Sequence, residues 1–321
     1  MAASPVQPSE LTIGDLREFR SDILEALLAE QAAYWNRHLH WDFSTAKETL
    51  LRYIDSRNLY GFVLLKDAAP IGYSYFIHES HKAQLGDLFV SEAHRESYAE
   101  RTLLNHTLRT AVIFPGVRRI EGQLLTLSDD LPETEVYGSR VRVIPRHFMI
   151  VEGLPASRPT SPSTGLMYRT WTDRDLESTS DLICRAYQHH VDARINDQYQ
   201  SRTGARRYLR NSTQHPGCGL FFRKAARVAF DRLTNTAAGI CLGSLVQPKV
   251  GHITQLCVDP RFRCSGVGRE LLGQALDAYR AHRCEAVSLT VTASNQHAIQ
   301  LYECSGFRLL KRFPAFVWEP Y

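Results

Sequence analysis

The six residues Arg263-Cys264-Ser265-Gly266-Val267-Gly268 constrain this chain more than any other stretch, because they join two runs of different period. Upstream, His252-Ile253-Thr254-Gln255-Leu256-Cys257-Val258 reads as a strand that Asp259-Pro260 brings to an end. Downstream, Val267, Leu271, Leu272, Ala275, Leu276 and Tyr279 recur at helical spacing with polar residues between them. A strand, a glycine-bearing turn and a helix together make an anion site. The first N–H groups of a helix lack intrahelical acceptors, and its dipole favours negative charge there. Gly266 and Gly268 carry no Cβ to bar a close approach, while Arg263 and Arg269 add positive charge. Such a turn suits a pyrophosphate; taken alone, it equally suits a plain connection in an α/β protein.

The flanking residues separate the two readings. From Val258 to Gly268 the chain spells V-x-P-x-x-R-x-x-G-x-G ahead of the helix. Further on, Asn295 to Phe307 spells N-x-x-A-x-x-L-Y-x-x-x-G-F, with a strand expected over Ala286–Thr292 between them. In this order the two signatures resemble those of the GNAT superfamily of N-acetyltransferases. The resemblance is clear from Gly251 to Phe307 and extends, more weakly, over Gly165–Tyr321. It implies an α/β (α+β) fold, a mixed and mostly antiparallel sheet flanked by helices. It also implies acetyl-CoA as co-substrate, with no metal.

The resemblance carries roles onto particular residues. Leu256, Cys257 and Val258 end the strand that would hold the thioester, with a backbone N–H near Cys257 or Val258 polarising its carbonyl. Arg263, Cys264, Ser265, Gly266, Val267, Gly268 and Arg269 form the phosphate turn. In the second signature, Asn295 would cap its helix and bond the pantetheine arm, with Ala298 beside it. Tyr302 takes the place of the family's general acid near the CoA sulfur. The acceptor amine must also lose a proton, since an alkylammonium is mostly charged at neutral pH. His252, early on the strand, holds the position where many relatives carry a base. Strand alternation sets His252, Thr254 and Leu256 on one face and Gln255 on the other, which excludes Gln255.

With 321 residues, the chain is long for one core and suits two domains. The expected division is Met1–Leu154, a linker over Pro155–Gly165 (PASRPTSPSTG), and a catalytic domain over Leu166–Tyr321. In the first half, Leu85 to Arg95 echoes strand, short linker and arginine, and a helix is expected over Arg101–Val112. Aligning Arg95 with Arg263 puts Tyr98 and Glu100 where the second half has Gly266 and Gly268. A ring and a carboxylate there oppose a pyrophosphate. The first half therefore reads as a degenerate copy of the same fold, a different small α/β domain being the alternative. The paired arrangement resembles that of the mycothiol synthases. Leu16, Phe19, Ile23, Leu24 and Leu27 mark one face of an early helix. The aromatic stretch Gln31–Phe43 reads as core or as a pocket lining.

Composition adds exclusions. A net charge of +4 gives no reason to expect a nucleic-acid partner. No apolar run reaches membrane-spanning length, and the N-terminus lacks a signal-peptide pattern, so a cytoplasmic protein is expected. The seven cysteines are odd in number and lack C-x-x-C spacing, and the histidines form no H-x-x-x-H array, so neither a disulfide framework nor a metal site is expected. The polar run His189–Tyr199 is a candidate acceptor wall or a solvated loop. The partner is then a small-molecule or peptide amine. A non-catalytic acyl-CoA-binding protein is the rival from another class, disfavoured by Tyr302.

Overall fold

A computed structural model describes residues 11–95, 97–127, 134–154, 165–215 and 217–320. The leader, most of the expected linker and part of Asp129–Gly138 lie outside the described residues. By contacts the chain forms two units: residues 1–38, 42–144 and 313–321, and residues 39–41 and 145–312. The expected division at the linker is thus crossed by three segments, 39–41, 145–154 and 313–321.

The first unit runs β1 (Leu11–Asp15), α1 (Ser21–Leu39), α2 (Ser44–Asp55), β2 (Tyr60–Lys66), β3 (Ala69–Glu79), β4 (Lys82–Val90), α3 (Ser97–Ile113), β5 (Arg119–Gln123) and β6 (Thr134–Val136), and reaches into β7 (Ser139–Glu152). Its strands pair antiparallel from β1 to β4; β5 then lies parallel to β4. The apolar face of α3, Leu103, Leu104, Leu108 and Ala111, is buried against this sheet. The aromatic stretch resolves as core here: Tyr34, Trp35 and Phe43 are buried. Leu24 and Leu27 are buried on α1 with Leu28, but Ile23 is exposed, one turn position off the face the spacing suggested.

The second unit runs β8 (Leu166–Thr170), α4 (Leu176–Tyr187), α5 (Asp192–Ile195), α6 (Arg202–Gln214), β9 (Leu220–Phe221), β10 (Arg227–Asp231), β11 (Ala237–Gln247), β12 (Val250–Val258), α7 (Val267–Ala281), β13 (Ala286–Thr292), α8 (Gln296–Cys304) and the start of β14 (Arg308–Trp318). Its strand order is β8-β10-β11-β12-β13-β7, matching β1-β2-β3-β4-β5-β14 of the first unit. Each sheet is therefore completed by the last strand of the other half of the chain. Arg146–Glu152 of β7 pairs antiparallel with β13, and Ala315–Trp318 of β14 pairs antiparallel with β5.

Every periodic apolar residue of α7 is buried, packed with α8 against one face of the second sheet. α4 and α6 cover the other face with Leu182, Ile183, Ala205 and Leu209. α4 begins where Thr172 and Asp175 cap each other's backbone in a reciprocal box.

Candidate functional site

β12 and β13 run parallel only from Val250 to Ile253, opposite Ala286 to Leu289, and then part. Past Ile253 one side of β12 has no strand partner among the described residues. The opposite side stays in the ladder with β11, where the Asp259 N–H donates to the Ala238 carbonyl at 2.9 Å. Antiparallel residues alternate between ladder and outward N–H groups, so Cys257 donates to β11 while Leu256 and Val258 aim theirs into the gap. The gap thus has two backbone donors one residue apart. The expectation of an N–H near Cys257 or Val258 narrows to Leu256 and Val258.

A bulge alters which side chains face where. Leu242 pairs with Gln255 but Gly243 pairs with Ile253, leaving Thr254 unpaired in β12. The extra residue reverses the alternation beyond it. Ile253, Leu256 and Val258 pack on the α7/α8 face, whereas Cys257 joins the cluster under α4 and α6. Gln255 faces that way too, donating to the Tyr187 hydroxyl at 2.8 Å and accepting from the Tyr199 hydroxyl at 3.2 Å. The exclusion of Gln255, and the grouping of His252 with Leu256, are therefore corrected: an uninterrupted period of two does not hold through Thr254. The Tyr208 hydroxyl donates to the Thr254 carbonyl at 2.9 Å and occupies the bulge.

β12 leads directly into the turn. Asp259, 1% exposed, accepts from the Arg261 N–H and guanidinium and from Arg185 Nε at 2.8 Å. Burial pushes its carboxyl up, but those hydrogen bonds outweigh burial and bring it down to about 2. Arg263 is tied to backbone: its Nη2 donates to the Ala186 carbonyl at 2.6 Å and its Nε lies 3.4 Å from the Val258 carbonyl. Its work is to clamp the turn to the end of α4. Cys264 is exposed, and the Ser265 hydroxyl donates to the Phe262 carbonyl at 2.6 Å. Gly266 caps α7 at φ +84°, a left-handed conformation that favours glycine, and the space its Cβ would enter is empty to 4 Å. Val267 is buried core, Gly268 lies in the first turn, and Arg269 is exposed. This surface, open above Gly266 and lined by the first N–H groups of α7, fits a pyrophosphate.

At the far side of the gap, Asn295 accepts from the Ala298 N–H at 3.3 Å and caps α8, and its amide nitrogen lies 3.3 Å from His190 Nε2. Tyr302 is buried on α8, and burial pushes its phenol well above the usual range. It feels the charges of Asp192 and Arg146 as well. Arg146 of β7 is buried; it donates to Thr292 Oγ1 at 2.9 Å and Thr290 Oγ1 at 3.2 Å, and pairs with Asp192 at 3.3 Å. Thr292 also donates to Asp192. Beside this group, Tyr187, His189, Ala193 and Tyr199 line a pocket of about 370 Å³.

His252 has no such access. It is buried, with Nδ1 2.9 Å from the Ser288 hydroxyl and its ring edge-on to Trp41 at 4.8 Å and stacked near Phe148. Burial lowers its pKa to about 3. A nitrogen so weakly basic is a poor acceptor for an ammonium proton, which weighs against the base role expected of it. Local patterns gave no hint of Arg146 or Asp259 as partners, since Arg146 comes from a strand of the other half of the chain and Asp259 reads as a strand terminator. Asp192 did lie within the polar run singled out as the acceptor wall.

The equivalent region of the first unit carries a buried carboxylate. β4 and β5 also part, after Leu85 and Gly122. Glu100, in the first turn of α3, is buried and lies 3.4 Å from Arg95, whose guanidinium stacks over Tyr34. Tyr98 turns out to solvent, 66% exposed. Of the two residues expected to oppose a pyrophosphate there, only the carboxylate is buried at the turn.

Two sets of strands in matching order, each with a parting pair and one leading into an open turn, define a tandem α/β protein. Residues 184–307 match the profile of the Acetyltransferase (GNAT) family. Over 57 residues it is 46% identical to mycothiol acetyltransferase of Beutenbergia cavernae, a match covering 18% of this chain and 19% of that protein. The match thus spans about a fifth of that relative's length. A GCN5-related N-acetyltransferase from Sphaerobacter thermophilus superposes with a TM-score of 0.66 over 98% of this chain and 97% of its own, at 14% identity. A tandem GNAT protein from the clavulanic acid biosynthesis pathway does so at 0.57 over 97% and 100%, at 16% identity. These likenesses show the fold. No helix among the described residues is long and apolar enough to cross a membrane.

Proposed function

We propose that the second unit transfers the acetyl group of acetyl-CoA directly to a primary amine of a small molecule or peptide. The observation that carries this reading is the continuity of the parted edge of β12 with the open turn at Gly266. One surface offers Leu256 and Val258 N–H groups to a thioester carbonyl and the first turn of α7 to a pyrophosphate. Acetyl-CoA supplies the activated acyl group. Tyr302, kept neutral by burial, holds a proton for the leaving thiolate. Asp192, fixed by Arg146 and Thr292, is a carboxylate that can hold the acceptor's amino group, whose ammonium proton passes to water before the free amine attacks the thioester. The match to mycothiol acetyltransferase supports an amine on a thiol-sugar precursor as the acceptor to assay first.

Calorimetric titration of acetyl-CoA into the full-length protein tests the reading. One site per chain is expected, because the first unit sets the carboxylate of Glu100 in the first turn of α3, and Gly266→Glu is expected to abolish it. Two sites, or undiminished binding by the variant, would overturn the assignment of the turn.

A further inference from the structure

We propose that the second unit carries another anion site, for a phosphate group, at the opposite end of α7 from the cofactor turn. A cavity of about 280 Å³ opens there, lined by Thr170, Lys224, Arg227, Ala278, Ala281 and His282. With 15 residues in α7 rising 1.5 Å each, it lies about 20 Å from Gly266. A ligand on the turn does not reach it by sharing a phosphate.

The lining is basic without compensation. Lys224 and Arg227 are cationic side chains, and no carboxylate is among the described residues lining the cavity. Carboxylates on the neighbouring elements are engaged elsewhere: Asp173 pairs with Arg223 and Asp277 with Arg280. The C-terminus of α7 contributes only about half a negative charge, which two full cations outweigh.

Donors converge as phosphate recognition requires. Arg227 Nη1 donates to Thr170 Oγ1 at 3.1 Å, which leaves the threonine's own proton to donate onward. The guanidinium of Arg227, the Lys224 ammonium and the Thr170 hydroxyl line one cavity and together suit a tetrahedral oxyanion. His282 stands at the rim with its ring centroid 4.9 Å from that of Phe222. The small volume suits inorganic phosphate or the phosphate of a small phosphomonoester.

Titration with inorganic phosphate at constant ionic strength, held with chloride, should show one site per chain. Arg227→Gln and Lys224→Gln should each weaken it about tenfold or more, with acetyl-CoA affinity unaltered. Lys224 is exposed, so its variant tests the site without risk to folding. Glycerol 3-phosphate binding more tightly than phosphate would identify an esterified ligand, and weaker binding the free anion. No binding by the wild type, unchanged affinity in Lys224→Gln, or displacement of phosphate by acetyl-CoA would overturn the proposal.

Discussion

At the scale of single residues, burial assigns opposite fates to the two groups expected to move protons. Tyr302 is buried beside Asp192 and Arg146, and raising a phenol's pKa keeps its proton in place until a stronger base, such as a thiolate leaving group, takes it. Tyr302→Phe should therefore lower turnover by about 100-fold or more while leaving acetyl-CoA affinity within about twofold, measured by steady-state kinetics and calorimetry. An unchanged rate would remove the role. His252 is different. Its unfolded pKa is near 6.5 and its folded value about 3, so the unfolded chain binds the extra proton between these limits. The stability it contributes is complete above about pH 6.5 and is lost as pH falls towards 3. Its neighbours Ser288, Trp41 and Phe148 are not ionisable, so nothing local offsets this. Between pH 7 and pH 5 the wild type should lose about 2 kcal/mol that His252→Asn keeps, measured by urea unfolding at both values. Parallel losses in the two proteins would show that the ring charges freely.

At the scale of elements, what the sequence made legible is what depends on neighbours within a few positions. The strand over His252–Val258, the apolar stripe of α7, the strand Ala286–Thr292 and the Asn295 cap all follow from local period or local hydrogen bonding, and the structure places them so. The bulge at Thr254 was not legible. Nothing in Thr254 itself demands it; it arises where β11 and β12 shift register, and Tyr208 from a separate helix takes its carbonyl. The second task of Arg263 was not legible for a related reason: its bond to the Ala186 carbonyl joins the turn to a helix far away in sequence. Asp259 connects these pieces, joining the end of β12 to Arg185 of α4 and to Arg261 within the turn. Because both arginines are substantially exposed, solvent screening limits its worth to about 1–2 kcal/mol. Asp259→Asn should lower stability by that amount at neutral pH and weaken acetyl-CoA binding about tenfold, since the turn loses its fixed approach. Its carboxyl is lowered from 3.8 to about 2, so the wild-type contribution is complete above about pH 4 and is lost as pH falls from there through 2, and a stability difference confined to pH above 5 would contradict the pairing.

At the scale of the whole molecule, the exchange of last strands sets what can fold alone. A division at Pro155–Gly165 is the natural reading of composition, but 313–321 belongs to the first unit and 145–154 to the second. Periodicity does not report which sheet a strand joins, because a buried strand has the same apolar pattern in either. The consequence is testable in the first unit. Phe313, Phe316 and Trp318 are 0%, 1% and 5% exposed, and Ala315–Trp318 supplies the edge partner of β5. Losing three buried aromatics at about 3–5 kcal/mol each removes about as much as a typical domain's whole stability. The fragment Met1–Leu154 lacks them all and leaves β5 as an open edge prone to association. It should therefore lack a cooperative thermal transition and sediment as aggregate. Adding a synthetic peptide covering Arg308–Trp318 during refolding should restore a transition, because an extended peptide can add itself as the missing strand. A fragment that melts cooperatively without the peptide would mean that the first unit closes its sheet by itself, and the natural cut at the linker would stand.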